Sequence, residues 1–512
     1  MSNYDYSKLQ NGSDIRGIAL DGVPGEAVNI DGETTTRIAK GFLYWLTLST
    51  GKKTSEITVA LGRDSRLSGE RILQDFQQAL LPYGVKVLDA SLSSTPAMFM
   101  STVFPEYVTD GAVMITASHL PWNRNGFKFF TGDGGLDKGD ITDILAFAES
   151  NQILAKLTPA EKKEPSEIRL MDTYSTHLRN IIIKETGSEK PLAKMKICVD
   201  AGNGTGGFYA KKVLEPLGAD ISASLFLEPD GKFPNHAPNP ENKEAMAAIT
   251  QQVINKKCDL GIIFDTDVDR SSAVDEKGSE IARNGIVAMA AALISDKYPG
   301  TTVVTDSVTS DELHVFLEEI LGLKHLRFKR GYKNVINKAI ELNNSGTISP
   351  LAIETSGHAA YKDNYFLDDG AFLATRIVIE SAKLFKKGLG LSSILDGLNS
   401  PAESTEVRLP ITAEDFAGCA EKALKQVKKL PASFKHDAIR FSSVEPNYEG
   451  VRLSYTGKYN GWLLIRKSLH DPILPINIES KEPGGCQLIR EILNTALSSV
   501  DGIDLSPLIV NL

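Results

Sequence analysis

The sequence has little sulfur chemistry to offer. Its four cysteines, Cys198, Cys258, Cys419 and Cys486, are far apart and form no CxxC pair. That removes a disulfide scaffold and a zinc-ribbon reading, and leaves buried thiols in a reducing compartment. Cys198 and Cys258 each stand in a strand-like apolar run. A net positive charge is also lacking: Asp and Glu number 65 against 56 Lys and Arg, and the net charge of -9 argues against a nucleic-acid partner, whose phosphates want a basic face. No apolar run approaches the ~18 residues a membrane span needs, and Ile286 to Ile294 reads as a short buried helix. The first residues, Met1 to Gly12, lack the charged-then-apolar layout of a secretory signal. A cytoplasmic protein with no membrane or nucleic-acid partner is expected.

What is present is length and alternation. A chain of 512 residues exceeds one hydrophobic core and implies three or four domains. Short β-rich runs alternate with helical periodicity, the pattern of α/β layers. Three runs look alike: ITVALGRDSR from Ile57, MKICVDAGNGTGG from Met195 and TTVVTDSVTSDEL from Thr301. Each reads as a buried strand, a polar turn with an Asp, then a helix. Each is followed by a second strand ending in a chemically loaded loop: AVMITASHLPWNRNGFK, LGIIFDTDVDRSS and LAIETSGHAAYKDN. Such strand ends are where open α/β sheets bind ligands. Polar segments at Thr158 to Ile168 and Asn399 to Glu406 are candidate linkers. Beyond them the C-terminal part reads as α+β, with shorter strands.

The first loaded loop presents Ser118 at a strand end, with His119 beside it and Lys128 further on, Pro121 and Gly126 holding the path between. A serine hydroxyl needs a base, a metal or both to act as a nucleophile. On an extended segment adjacent side chains point to opposite sides, so His119 is not expected to serve as a simple base for Ser118. A turn that happens to hold Ser and His would look the same. In the second loop Asp265, Asp267 and Asp269 alternate after a strand read over Cys258 to Phe264. Three carboxylates so close repel one another unless a cation neutralises them, and all-oxygen ligation suits magnesium. A calcium EF-hand fails, because its obligatory glycine is Arg270 here and a strand, not a helix, leads in. Arg270 is better placed for a phosphate. The loop is expected to be exposed at its strand end.

The third loop offers Glu354 and Ser356 as hydrogen-bonding groups, Gly357 for close approach and His358 as a donor to an oxyanion. A carboxylate beside a hydroxyl suits a polyol. GWLLIRKSLHDP, from Gly461, releases Arg466, Lys467, Ser468 and His470 from a strand, a candidate phosphate pocket. SDIRG, from Ser13, places Arg16 on another short loop.

In order along nearly the whole chain, SDIRG, GRDSRLSG, TASHLPWNRNGFK, DAGNGTGG, FPNHAPNPE, DTDVDR, ETSGH and RKSLHDP resemble the α-D-phosphohexomutase superfamily. The resemblance implies an α/β fold: three related α/β domains with mixed sheets plus a C-terminal α+β domain around a central cleft. The implied boundaries are 1–165, 166–281, 282–399 and 400–512. It implies an enzyme interconverting hexose 1-phosphate and hexose 6-phosphate, of glucose or mannose, through phosphorylated Ser118 and a hexose 1,6-bisphosphate. One Mg2+ would be held by the Ser118 phosphate and Asp265, Asp267 and Asp269. Lys128 matches the general acid/base, with Arg16 and His119 near the transferring group. Arg270, Tyr332, Lys333, Glu354, Ser356 and His358 match substrate-binding positions, and Arg466, Lys467, Ser468 and His470 the loop for the non-transferring phosphate. A monomer or dimer is expected.

This sequence departs from the family in its docking end. The phosphate loop usually reads R-[PA]-S-G-T-E-P, and Lys467, Leu469, His470 and Asp471 replace four of those positions. Leu120 stands where Asn is usual, and Val308 near where many relatives carry a lysine. Phosphoglucosamine mutase, or a mutase of another sugar, is the alternative within the class. A non-catalytic sugar-phosphate-binding relative would be expected to lose Ser118, Lys128 or an Asp ligand, and none is lost. A metal phosphatase would use the same serine but release the phosphoryl group to water.

Overall fold

The computed structural model describes residues 5–434, 439–468 and 471–509. The chain forms two compact units, one of residues 1–293 and 356–396 and one of residues 294–355 and 397–512.

The first unit is built on two mixed sheets. The larger runs in the order Gln10–Asn11, Asp14–Ile18, Arg124–Thr131, Gly111–Ile115, Thr58–Arg63, Lys86–Leu92 and Ser166–Glu167. Its centre, Gly111–Ile115 beside Thr58–Arg63 beside Lys86–Leu92, is parallel. Arg124–Thr131 folds back antiparallel on Gly111–Ile115 and pairs with Asp14–Ile18. The central strands are apolar and buried because helices cover both faces, as parallel sheets require. Helix Gly32–Thr50 starts where the Asp31 carboxylate accepts the Thr34 N–H at 2.8 Å. It packs Ile38, Phe42 and Leu46 into a core with Phe76, Phe127 and Phe129. The second sheet runs Glu280–Ile281, Ser271–Val274, Leu260–Phe264, Ile197–Asp200.

One glycine shows how tightly the serine loop is tied to its sheet. Gly126 pairs with Arg16 across the Asp14–Ile18 strand. A Cβ there would lie 1.9 Å from the Ile15 carbonyl oxygen, so no larger residue fits.

The second unit holds the parallel strands Thr302–Thr305, Lys324–Arg327 and Leu351–Ile353. It also holds an antiparallel five-stranded sheet ordered Glu403–Pro410, Ile473–Ser480, Gly461–Ile465, Val451–Gly457, Ile439–Ser443. Leu453, Leu463 and Ile476 from that sheet share a core with Ala423 and Val427 of helix Phe416–Lys428 and Ile489 and Leu493 of helix Gly485–Leu497. The expected fold class is thus met: three α/β regions with mixed sheets, then a sheet-rich C-terminal region of α+β type.

The three-repeat pattern is physical. In each α/β region the first strand pairs in parallel with the strand that carries the loaded loop: Thr58–Arg63 with Gly111–Ile115, Ile197–Asp200 with Leu260–Phe264, Thr302–Thr305 with Leu351–Ile353. Four local readings need correction. Cys258 precedes its strand, which begins at Leu260. The segment Asn399 to Glu406 enters a strand at Glu403, and Thr158 to Ile168 includes the two-residue strand Ser166–Glu167. The C-terminal strands are longer than expected, Glu403–Pro410 and Ile473–Ser480 having eight residues each. Residues Ile286 to Ile294 are helical and mostly buried, within Asn284–Ser295, and the four cysteines are buried free thiols. No described helix is long and apolar enough to cross a membrane.

In the second unit a buried carboxyl offers a handle on stability. Glu479 accepts the Trp462 indole N–H at 2.8 Å, and the Arg452 guanidinium lies over that indole at 3.8 Å. Burial pushes the Glu479 carboxyl up from 4.5 to about 7. The folded chain therefore binds this proton more tightly than the unfolded one, and its contribution to stability is lost as pH rises from 4.5 to about 7. Thermal melting from pH 5 to 8 should show wild type losing stability relative to Glu479→Gln over that window. Parallel curves would mean that Glu479 is ionised throughout.

Candidate active site

In the first unit, Thr116-Ala117-Ser118-His119 leaves the strand Gly111–Ile115 and turns sharply. Ser118 takes a left-handed backbone (φ 50°), unusual for a residue other than glycine. The turn is held from beneath by a buried ion pair. Arg66 Nε lies 3.2 Å from Asp64 Oδ2, with both side chains wholly buried. Arg66 then donates to the Ser118 carbonyl, to Leu120 O at 2.6 Å and to Pro121 O at 2.7 Å. Asp64 in turn accepts the Thr116 hydroxyl at 2.7 Å. Removing either partner would strand a buried charge, at a cost of about 3–5 kcal/mol. Both lie within GRDSRLSG, where an Asp-x-Arg at a strand end is the sequence signal of such a pair.

The left-handed turn also corrects the expectation for His119. Its Nδ1 lies 3.3 Å from Ser118 Oγ, on the same side, because the segment is not extended there. Arg270 Nη2 donates to that Nδ1 at 2.5 Å. The Arg270 charge, with burial, pushes the imidazole down to about 2, so it stays neutral.

The acidic loop faces the serine. Ser118 Oγ donates to Asp265 Oδ2 at 3.0 Å and accepts from Arg270 Nη2 at 3.1 Å. Asp265, Asp267 and Asp269 are fully buried, which overturns the expected exposure of this loop. The reason lies in DAGNGTGG: Thr205 N–H donates to Thr266 O at 2.8 Å, and a Cβ on Gly204 would lie 2.6 Å from that same oxygen. The glycine lets one backbone cover the other. Val268, β-branched yet at φ 69°, sits between two of the aspartates.

Charge then has to be balanced in a dry place. Burial and the neighbouring Asp269 and Asp267 charges push the Asp265 carboxyl well up. For Asp269 burial acts upward too, but Lys128, His358 and Arg270 overcome it and hold the carboxyl far below its usual range. Lys128 Nζ hydrogen-bonds Asp269 and lies 3.6 Å from Asp267 Oδ2. Arg16, bonded to Asp14 at 2.7 Å, adds its charge toward Asp267 and Asp269. Thr95 Oγ1 donates to Asp267 Oδ2 at 2.5 Å.

One oxygen from each of the three aspartates lies within 4.8 Å of the others, while Asp267 Oδ1 and Asp269 Oδ1 are buried without a hydrogen-bond partner among the described residues. Hard oxygen donors with orphaned lone pairs fit a divalent cation such as Mg2+. His358 and Asp368 also approach Asp269. His358 Nδ1 is already bonded to Asp368, so that pair reads as an imidazole oriented by a carboxylate rather than a ligand set. Ser356 is buried beside Gly357, whose carbonyl accepts the Ser271 N–H at 3.4 Å. The first unit thus assembles Arg16, Ser118, His119, Lys128, the three aspartates, Arg270 and His358 in one place.

The remaining candidates lie in the second unit. Glu354 is buried, and its Oε1 accepts the Gly331 N–H at 2.6 Å. Tyr332 and Lys333 are half-buried at the start of helix Tyr332–Asn344. Arg466 is buried, Ser468 half-buried, and Lys467 is exposed and paired with Glu421. His470 lies outside the described residues.

Comparison with known proteins agrees with this arrangement. Three family models, phosphoglucomutase/phosphomannomutase alpha/beta/alpha domains I, II and III, match residues 7–152, 172–278 and 283–399. The phosphomannomutase/phosphoglucomutase of Pseudomonas putida is 27% identical over 90% of this chain and 92% of its own. A phosphoglucomutase of Neisseria gonorrhoeae is 27% identical over 95% of this chain and 96% of its own. The fold superposes on a phosphoglucomutase/phosphomannomutase family protein of Burkholderia thailandensis with a TM-score of 0.76, at 24% identity and 98% coverage of both chains. The chain belongs to the phosphoglucomutase/phosphomannomutase family, within the α-D-phosphohexomutase superfamily, and is an intramolecular phosphotransferase.

Metal binding can be read without any turnover. A ligand that binds only the folded state stabilises it by about 2.7 kcal/mol at a hundred times its dissociation constant. Saturating Mg2+ should raise the thermal midpoint of the full chain, and Asp267→Asn should abolish that increment. An equal increment in both proteins would place the ion elsewhere.

Proposed function

We propose that this chain is a hexose-phosphate mutase working through a phosphorylated Ser118, interconverting 1- and 6-phosphates of glucose or mannose by way of a hexose 1,6-bisphosphate. One observation carries the reading: a buried serine hydroxyl sits 3.0 Å from one of three clustered carboxylates and 3.1 Å from a guanidinium. That combination favours placing and removing a phosphoryl group over ordinary structural use of a serine.

Asp265, Asp267 and Asp269, together with the Ser118 phosphoryl oxygens, would hold Mg2+. When bound, the ion neutralises negative charge on the transferring group. The rest falls to the chain itself. Arg270 and Arg16 offer fixed positive charge to the phosphoryl oxygens, pre-organised by carboxylates and therefore needing no rearrangement at the moment of transfer. A sugar hydroxyl oxygen forms the new P–O bond as the bond from Ser118 Oγ to phosphorus breaks. Lys128 Nζ, an ammonium beside Asp267 and Asp269, gives a proton to Ser118 Oγ and regains one from the sugar hydroxyl, so that the atoms balance. Neutral His119 orients Ser118 and Arg270 without carrying the proton. The second transfer runs these steps in reverse, with the bisphosphate turned end for end.

Glu354, Ser356 and His358, with Tyr332 and Lys333, would position the sugar, and Arg466, Lys467, Ser468 and His470 the phosphate that is not transferred. We assign domains to 1–165, 166–281, 282–399 and 400–512. The chain is read as a cytoplasmic monomer or dimer without nucleic-acid or membrane partners.

A coupled assay over glucose, mannose, glucosamine and N-acetylglucosamine 1-phosphates, primed with glucose 1,6-bisphosphate, tests the reading. Glucose or mannose 1-phosphate should give the 6-phosphate. Lys128→Met should lower kcat by roughly 10²- to 10⁴-fold while shifting KM little. Inorganic phosphate released in step with substrate loss, with no 6-phosphate formed, would establish a phosphatase instead.

A further inference from the structure

Arg466 is an unusual buried cation. It is 9% exposed, its Nε is wholly enclosed without a hydrogen-bond partner, and its guanidinium makes no hydrogen bond or ion pair with any described residue. Burying a charge in that way is costly unless an anion completes it. The carboxylates whose charges reach it are Glu449, Glu406 and Asp306. All three are engaged elsewhere: Glu449 accepts the Ser307 hydroxyl, Glu406 pairs with Arg408 at 2.7 Å, and Asp306 accepts the Thr355 hydroxyl at 2.8 Å.

A second arginine, Arg330, is tied by its backbone to the turn that packs on Arg466. Gly450 packs directly on Arg466, so closely that a Cβ there would lie 2.9 Å from the Arg466 Cα and Cβ. The preceding residue, Glu449, accepts the backbone N–H of Arg330 at 3.1 Å. The next residue along, Gly331, takes φ 113° and gives its N–H to Glu354 Oε1 at 2.6 Å. Arg330 is therefore anchored between the Glu449-Gly450 turn, which packs on Arg466, and the carboxylate expected to meet the sugar. It is half-buried, and after burial itself its charge is the strongest influence lowering the basicity of Arg466. Two like charges brought together in this way are relieved by a dianion that accepts from both.

We propose that Arg330 is a second phosphate-binding guanidinium, held by Glu449 between Glu354 and Arg466, and that it grips the non-transferring phosphate of the hexose phosphate. This rests on the mutase reading for the identity of its ligand. It also gives Arg466 a partner: a cation from the turn Lys329-Arg330-Gly331 would share the phosphate with it.

The test compares wild type, Arg330→Ala and Arg330→Lys as full chains, by calorimetric titration with glucose 6-phosphate and by steady-state kinetics. The bond to Glu449 comes from the backbone N–H, which both variants keep, and melting curves should show both folded. Arg330→Ala should weaken glucose 6-phosphate binding and raise KM by roughly 10- to 100-fold, with kcat changed by less than about threefold. Arg330→Lys should recover part of the affinity, which a merely structural role would not produce. Affinity within about twofold of wild type in Arg330→Ala overturns the assignment. Wild-type binding that Arg330→Ala weakens, without any isomerisation by wild type, sustains Arg330 as a phosphate ligand and sinks the mutase reading. No binding by wild type overturns both.

Discussion

Three carboxylates buried together at one strand end are the constraint around which the first unit is arranged. Asp265, Asp267 and Asp269 cannot all ionise in a dry environment without compensation. Lys128, Arg270 and Arg16 converge on them from the strand after the serine loop, from the acidic loop's own end and from the SDIRG strand. Two aspartate oxygens still lack hydrogen-bond partners among the described residues. The same charges that make the cluster tolerable suit it to a divalent cation and to the oxygens of a phosphoryl group. Stability and chemistry thus draw on one set of residues.

Rigidity comes from a second, purely structural pair. Asp64 and Arg66 touch no ion-binding oxygen, yet they gather the carbonyls of Ser118, Leu120 and Pro121 into one fan of hydrogen bonds. A serine carried on a left-handed turn would otherwise relax. Gly126 and Gly204 serve the same end by letting backbones approach where a Cβ would collide with a carbonyl oxygen.

Most chemistry-bearing residues were legible in the sequence because they sit at the end of an apolar strand, where a change from apolar to polar stands out. Ser118, the three aspartates and Arg270 were read in that way and Lys128 through the family resemblance, and the structure brings them together. The supporting residues were not legible. Thr95 on Asp267 and Glu449 on the Arg330 backbone join positions far apart in the chain, through strand order that no local pattern encodes. Two local rules misled for definable reasons. Alternation along an extended segment fails at Ser118 because its φ is positive, and strand-end exposure fails at Asp267 because the Gly204 backbone covers the loop.

The account's central claim is that Ser118 carries the phosphoryl group between substrates. Incubating the protein with glucose 1,6-bisphosphate labelled on both phosphates, then mapping the labelled peptide, addresses it directly. The account predicts label on Ser118 that is chased into sugar bisphosphate when unlabelled glucose 1-phosphate is added. Label on another residue, or label on Ser118 that leaves only as inorganic phosphate, would contradict it.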